Sequence, residues 1–335
     1  MVRPPSDATT RQRQPCCLKP PSRRADYTSP MRLPPSALPR RSLLRLAAAT
    51  VASIAIPWPL RALTADPDLA RLTDWVARLR AEGLASGGVS TGRGAVRVGE
   101  LAAGTPYEPG TLEAYLRAGG DPMGVEPLAL SLTRFDCVTL VESCLAIARL
   151  APRGGAPTWE GFGQEMERMR YRCGVRQGYG SRLHYFSEWI SNGAARGLVR
   201  DLGAELGGVN DPRPLRFMTE HRGSYPALAH DSAFAEIAAM EHELDGQPRL
   251  VVPRERLPEV AAGIATGDVL AFATEIPGLD VTHAAFAHRD TRDVLRVLHA
   301  PLSGGVVEVT RATLPEYVAA LRRCTGVLVA RPLPA

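Results

Sequence analysis

Arg134-Phe135-Asp136-Cys137-Val138-Thr139-Leu140-Val141-Glu142 sets a cysteine at the opening of an apolar helix. A helix start leaves backbone N–H groups unpaired and carries the positive end of the dipole, which favours thiolate over thiol. The same N–H groups can hold the oxyanion of a tetrahedral intermediate. Cys144 falls on the same helix face among apolar neighbours and reads as a small buried hydrophobe.

A base for that thiol is offered much later in the chain. Val281-Thr282-His283-Ala284-Ala285-Phe286-Ala287 and Val294-Leu295-Arg296-Val297-Leu298-His299 flank a polar turn. Centred on Thr291, the hairpin pairs position i with 582−i, which puts His283 opposite His299 on one side of the ribbon. Facing residues lie about 4.5–5.5 Å apart at Cβ, near enough for one ring to orient the other. Ala285 and Ala287 share that side and are expected to leave room over the Cys137 helix. Nucleophile, base and orienter of the base are then all supplied, and a one-residue slip of register would part them. His283, His299 and Cys137 could also ligate zinc, but no H-E-x-x-H or C-x-x-C spacing supports that. The thiol chemistry calls for no metal or cofactor. G-x-x-x-x-G-K-[ST] is absent, so a P-loop is disfavoured.

The elements that must carry these residues follow from periodicity. Helices are expected over Asp66 to Gly83, from Phe135 or Asp136 to Leu150, Trp159 to Tyr171, Tyr185 to Ala195, 233–244 and Thr313 to Cys324. A Gly-rich turn is expected at 87–94, and 196–232 is loop-rich. Short strands follow at Asp268–Thr274, Val281–Ala287, Val294–Ala300, Val306–Thr310 and Val327–Ala330. Helices first and an antiparallel meander later predict a single α+β domain over 66–335.

The 335 residues carry a net charge of +5, but its distribution is uneven. Residues 1–65 hold 11 basic residues against Asp7 and Asp26, a net of +9, so 66–335 carry −4. A nucleic-acid-binding body is thereby disfavoured. Residues 1–39 are rich in Pro, Ser and Arg and are expected to be disordered. Pro39-Arg40-Arg41-Ser42-Leu43-Leu44-Arg45, the apolar stretch Leu46 to Ile56, and Ala62 or Ala65 for cleavage have the anatomy of an export signal. Its paired arginines resemble a twin-arginine signal, so twin-arginine or general secretion machinery is the expected carrier and the periplasm the destination. The apolar stretch is shorter than the ~20 residues a membrane span needs. Met31 begins a compact version of the same signal. Cys16 and Cys17 leave with it, and the remaining Cys137, Cys144, Cys173 and Cys324 are too few for a disulfide-built scaffold.

Gly104-Thr105-Pro106-Tyr107, Asp136-Cys137, Gly267-Asp268-Val269, His283 and His299 follow the order of the NlpC/p60 papain-like superfamily, which the chain resembles. F-D-C-V-T-L-V-E, R-L-H-Y-F-S-E-W-I (182–190), F-M-T-E-H (217–221), P-G-L-D-V-T-H (277–283) and L-H-A (298–300) resemble more closely the N-acetylmuramoyl-L-alanine amidase-like family, domain-of-unknown-function family 1460. The similarity runs over about residues 94–332. It implies a papain-like fold, with the nucleophile's helix packed on an antiparallel sheet and a helical and loop insertion. Cys137 would match the nucleophile, His283 the base and His299 the third polar residue. The implied substrate is peptidoglycan or a muropeptide, cut at an amide bond, with N-acetylmuramoyl-L-alanine the suggested site. A γ-D-glutamyl endopeptidase and a catalytically silent wall-binding module are the alternatives. Arg182, Tyr185, Trp189, His221, Tyr225 and Asp280 are candidates for the cleft lining. Arg182 and Asp280 lead because a buried charge needs a partner, and a peptidoglycan stem presents carboxylates and an amine.

Overall fold

A computed structural model describes residues 66–302 and 305–334. The leader and signal expected at 1–65, with cleavage near Ala62 to Ala65, lie outside the described residues. Where the sequence turns from helical spacing to alternation, the chain forms a sheet. Its strands are β1 (Val199–Asp201), β2 (Val209–Asn210), β3 (Leu250–Pro253), β4 (Val269–Thr274), β5 (Val281–Arg289), β6 (Leu295–His299), β7 (Glu308–Val309) and β8 (Cys324–Pro332). They run in the order β2-β3-β8-β4-β5-β6-β7, with β1 against β8. Every pairing is antiparallel, and the class is α+β.

Period-two alternation divides the core between the two faces of the sheet. Val269, Ala271, Ala284, Phe286, Leu298 and Leu328 pack with the helices Pro67–Ala81, Thr91–Leu101, Cys137–Leu150, Trp159–Arg170 and Phe186–Ala195. Leu270, Phe272, Ala285, Ala287, Val297 and Val327 turn the other way, toward Leu257, Leu314 and Val318. β4 is covered on both faces, which is why its run Val-Leu-Ala-Phe-Ala-Thr is apolar throughout and wholly buried. A third cluster, with Tyr179, Tyr185, Met218, Ile237 and Met240, forms around the helix Asp231–Leu244. No helix of the described residues is long and apolar enough to cross a membrane.

The sequence expectations differ from the structure at several points. The Gly-rich stretch at 87–94 runs into the helix Thr91–Leu101. Gly87 and Gly88 lie in the expected turn, whereas Gly92 serves close approach, since a Cβ there would lie 2.7 Å from the Gly267 carbonyl oxygen. β3 was not expected. The helix anticipated over Thr313–Cys324 ends at Ala320, and Cys324 belongs to β8.

Candidate active site

Cys137 is the first residue of its helix, held there by Asp136. The Asp136 carboxylate accepts from the Thr139 N–H at 2.7 Å, and the Asp136 N–H donates to Thr139 Oγ1 at 2.9 Å, closing a capping box. Pairing of β5 with β6 ends at Phe286–Leu298, which leaves the earlier edge of β5 open. The half-buried thiol meets that edge. Backbone N–H groups of Ala284, Val138 and Cys137 itself point to the sulfur and favour thiolate. Burial, followed by the Asp136 carboxylate, outweighs them and pushes the thiol up to about 12. The thiolate expected from the helix start is therefore corrected to a neutral thiol, because desolvation exceeds the local dipoles. Tyr107 and Tyr317 feel the charge of a Cys137 thiolate and so flank the sulfur.

The two histidines do meet, but on a different register. Phe286 pairs with Leu298 and Ala287 with Val297, so the hairpin pairs i with 584−i rather than 582−i. His283 and His299 are therefore diagonal rather than opposite. The shift is even, and both keep the same face. His283 Nε2 lies 2.8 Å from His299 Nδ1, with the rings edge to face. Phe272 stacks on His283, and the Tyr317 hydroxyl lies 3.4 Å from His299 Nδ1. His283 Nδ1 is buried without a hydrogen-bond partner. Burial, then repulsion from a charged His299, brings His283 down to about 3; burial brings His299 down to about 4. Ala285 and Ala287 face the layer away from the Cys137 helix, contrary to expectation, because alternation assigns that helix to Ala284 and Phe286. The thiol reaches β5 at its open edge instead.

Of the six residues expected to line a cleft, Arg182, Tyr185, His221 and Tyr225 border the third cluster, Trp189 lies in the main core and Asp280 at the start of β5. Arg182 is buried with Glu113 and with Glu126 at 3.6 Å, and it lies over the Tyr179 ring. The Asp280 carboxylate accepts from the Ser187 N–H at 2.7 Å and the Val281 N–H at 2.7 Å. It thus ties the start of β5 to the first turn of the helix Phe186–Ala195. The buried charges directed at substrate from sequence have their partners inside the chain, which removes the argument that aimed them at a ligand. The Tyr185 hydroxyl donates to Glu241 at 2.6 Å, and Trp189 stacks on Phe186 in the core. His221 is exposed beside its own Phe217 carbonyl, and Tyr225 packs against the third cluster. A cavity of about 650 Å³ lies at the other end of β5, beside Glu100 and His288. Among the described residues no three His, Cys, Asp or Glu side chains group as a metal site.

A family profile described as N-acetylmuramoyl-L-alanine amidase-like matches residues 97–325. The chain belongs to the N-acetylmuramoyl-L-alanine amidase-like family. An N-acetylmuramoyl-L-alanine amidase from Bacteroides uniformis is 29% identical, with a TM-score of 0.65 over 72% of this chain and 98% of that one. A Bacteroides fragilis protein provisionally named a xylanase is 33% identical, at a TM-score of 0.63 over 70% and 98%. A Legionella pneumophila protein of domain-of-unknown-function family 1460, 17% identical at a TM-score of 0.58 over 79% and 94%, shares the fold. No curated protein matches. In this amidase-like chain, sequence reading missed Tyr317 and Glu308 beside His299 and Phe272 against His283. Only Glu308 left a signal, as a charge in the strand expected at Val306–Thr310.

Proposed function

We propose that this protein is a cysteine hydrolase of the NlpC/p60 papain-like type that cuts peptidoglycan at the N-acetylmuramoyl-L-alanine amide. The observation that carries the reading is the 2.8 Å contact between His283 Nε2 and His299 Nδ1. It leaves Nδ1 as the unpartnered ring nitrogen of His283, on the strand whose next residue, Ala284, meets the Cys137 sulfur. The resting pair is neutral, so the thiol proton passes to His283 Nδ1 as sulfur attacks the carbonyl carbon. Backbone N–H groups at the helix start donate to the oxyanion. Collapse breaks the C–N bond, and His283 returns the proton to the departing amine. His283 then deprotonates water, which cleaves the thioester and restores the thiol.

Separation of muropeptides into glycan and peptide tests this reaction, with Cys137→Ala as the control. Product masses distinguish the muramoyl amide from a γ-D-glutamyl bond. Binding without turnover, together with no selective alkylation of Cys137, would instead identify a silent wall-binding module. We further propose export to the periplasm, supported by the signal anatomy of residues 40–65. Sequencing the N-terminus of the mature protein from the periplasmic fraction checks it, and a start far from Ala62 to Ala65 overturns it.

A further inference from the structure

Two neutral histidines joined nitrogen to nitrogen leave the direction of their hydrogen bond open. If His283 Nε2 donates, His283 Nδ1 is a lone pair and can accept the thiol proton. If His299 Nδ1 donates, the proton of His283 sits on Nδ1 and the base is lost. Tyr317 does not decide between them, because its hydroxyl, 3.4 Å from His299 Nδ1, can donate or accept. The remaining nitrogen can decide. His299 Nε2 lies 3.8 Å from Glu308 Oε1, and the β6–β7 register sets the two residues directly opposite. An ionised carboxylate only accepts.

We propose that Glu308 is a positioning residue that keeps the His299 proton on Nε2 and so leaves His283 Nδ1 free to act as the base. The proposal rests on the Cys137-His283-His299 reading and deepens it. Donors then run one way, from His299 Nε2–H toward Glu308 and from His283 Nε2–H to His299 Nδ1, and His283 Nδ1 is left as a lone pair to take the thiol proton. At 3.8 Å the Glu308 contact is charge to dipole rather than a direct hydrogen bond. The dipole it favours is an N–H pointing at the carboxylate. The Glu308 side chain is 55% exposed, so solvent screens it and the effect is small per turnover. The same negative charge favours the imidazolium that forms on His283 during attack.

Nitrogen-15 NMR of the histidine rings, with muropeptide turnover, tests this on the wild type and on Glu308→Gln, Glu308→Ala and Glu308→Lys. The wild type is expected to carry both ring protons on Nε2. Glu308→Gln keeps that pattern, because its amide oxygen still accepts. Glu308→Ala mixes the tautomers and lowers kcat roughly 3- to 5-fold with KM unchanged. Glu308→Lys, a donor only, moves the His299 proton to Nδ1 and lowers kcat upward of about tenfold. A wild type with His299 protonated on Nδ1 overturns the proposal, as do Ala and Lys variants with wild-type tautomers and kcat. Full hydrolysis by Cys137→Ala would sink the cysteine reading instead, while the ring spectra still judge Glu308.

Discussion

Two of the regions that hold buried polar groups show burial doing different things. At the proposed site the thiol of Cys137 is pushed up to about 12 and His283 down to about 3, with no opposite charge against either. Around Arg182 the same desolvation is met by ion pairs. Arg182 faces Glu113 and Glu126, and Arg170 Nε lies 2.7 Å from Glu142. A buried charge facing its counter-charge is a fixed part of the fold, whereas a neutral thiol or imidazole with no counter-charge against it keeps a proton to give or a lone pair to accept one. Burial of polar groups therefore does not mark a site by itself; the partner does.

The sharpest way to separate the two regions is to remove one group from each. Cys137→Ala is expected to lower amide release from muropeptides by at least ~10³-fold. Its melting temperature should stay close to wild type, since alanine suits the first helical turn. Loss of folding together with activity would place Cys137 in the structural region instead. Arg182→Met should do the reverse. It leaves Glu113 and the buried Glu126 without their cation, at about 3–5 kcal/mol of stability. Denaturant unfolding reads that loss, and KM of the folded fraction should not change. A raised KM with wild-type stability would return Arg182 to the substrate.

What the sequence revealed, and what it hid, follows the same division. The helix start at Cys137 and the shared face of His283 and His299 were legible because helix starts and strand alternation are local features. The hairpin register was misjudged by an even step, and parity alone kept both histidines on one face. The burial of Arg182 and Asp280 was legible too, but their partners were not. Glu113 is 69 residues from Arg182 and Ser187 is 93 from Asp280, pairings that only tertiary packing creates. The expected turn at 87–94 held only in its first part, for a related reason. Its glycines signal a turn locally, yet Gly92 is there because the backbone at Gly267 presses against it.

Acid should strain the proposed site. Both histidines are buried neutral, at about 3 and about 4 against an ordinary value near 6.5. An unfolded chain binds more protons than the native one between pH 6.5 and about 3, so stability falls as pH falls through that window. Above 6.5 the two states hold equal protons at these positions and the effect vanishes. His283→Phe should flatten the slope of unfolding free energy over pH 4–6, and an unchanged slope would deny the burial. By the same shifts, the acid limb of kcat/KM should lie well below 6.5.

The smallest expected effect tests a hydrogen bond away from the proposed site. Tyr185→Phe removes the hydroxyl that donates to Glu241 at 2.6 Å. Glu241 keeps the N–H groups of Met218 and Thr219 and the Thr219 hydroxyl as donors, so its carboxylate is not stranded. The Met218 N–H that also donates to the Tyr185 hydroxyl at 3.2 Å keeps its bond to Glu241, so the cost is chiefly the Tyr185–Glu241 bond net of hydration, about 1 kcal/mol by denaturant unfolding. Turnover should be unaffected, because nothing that Tyr185 touches leads to Cys137. A large fall in kcat with stability intact would show that the two regions are coupled through this hydroxyl, and the division between them would no longer hold.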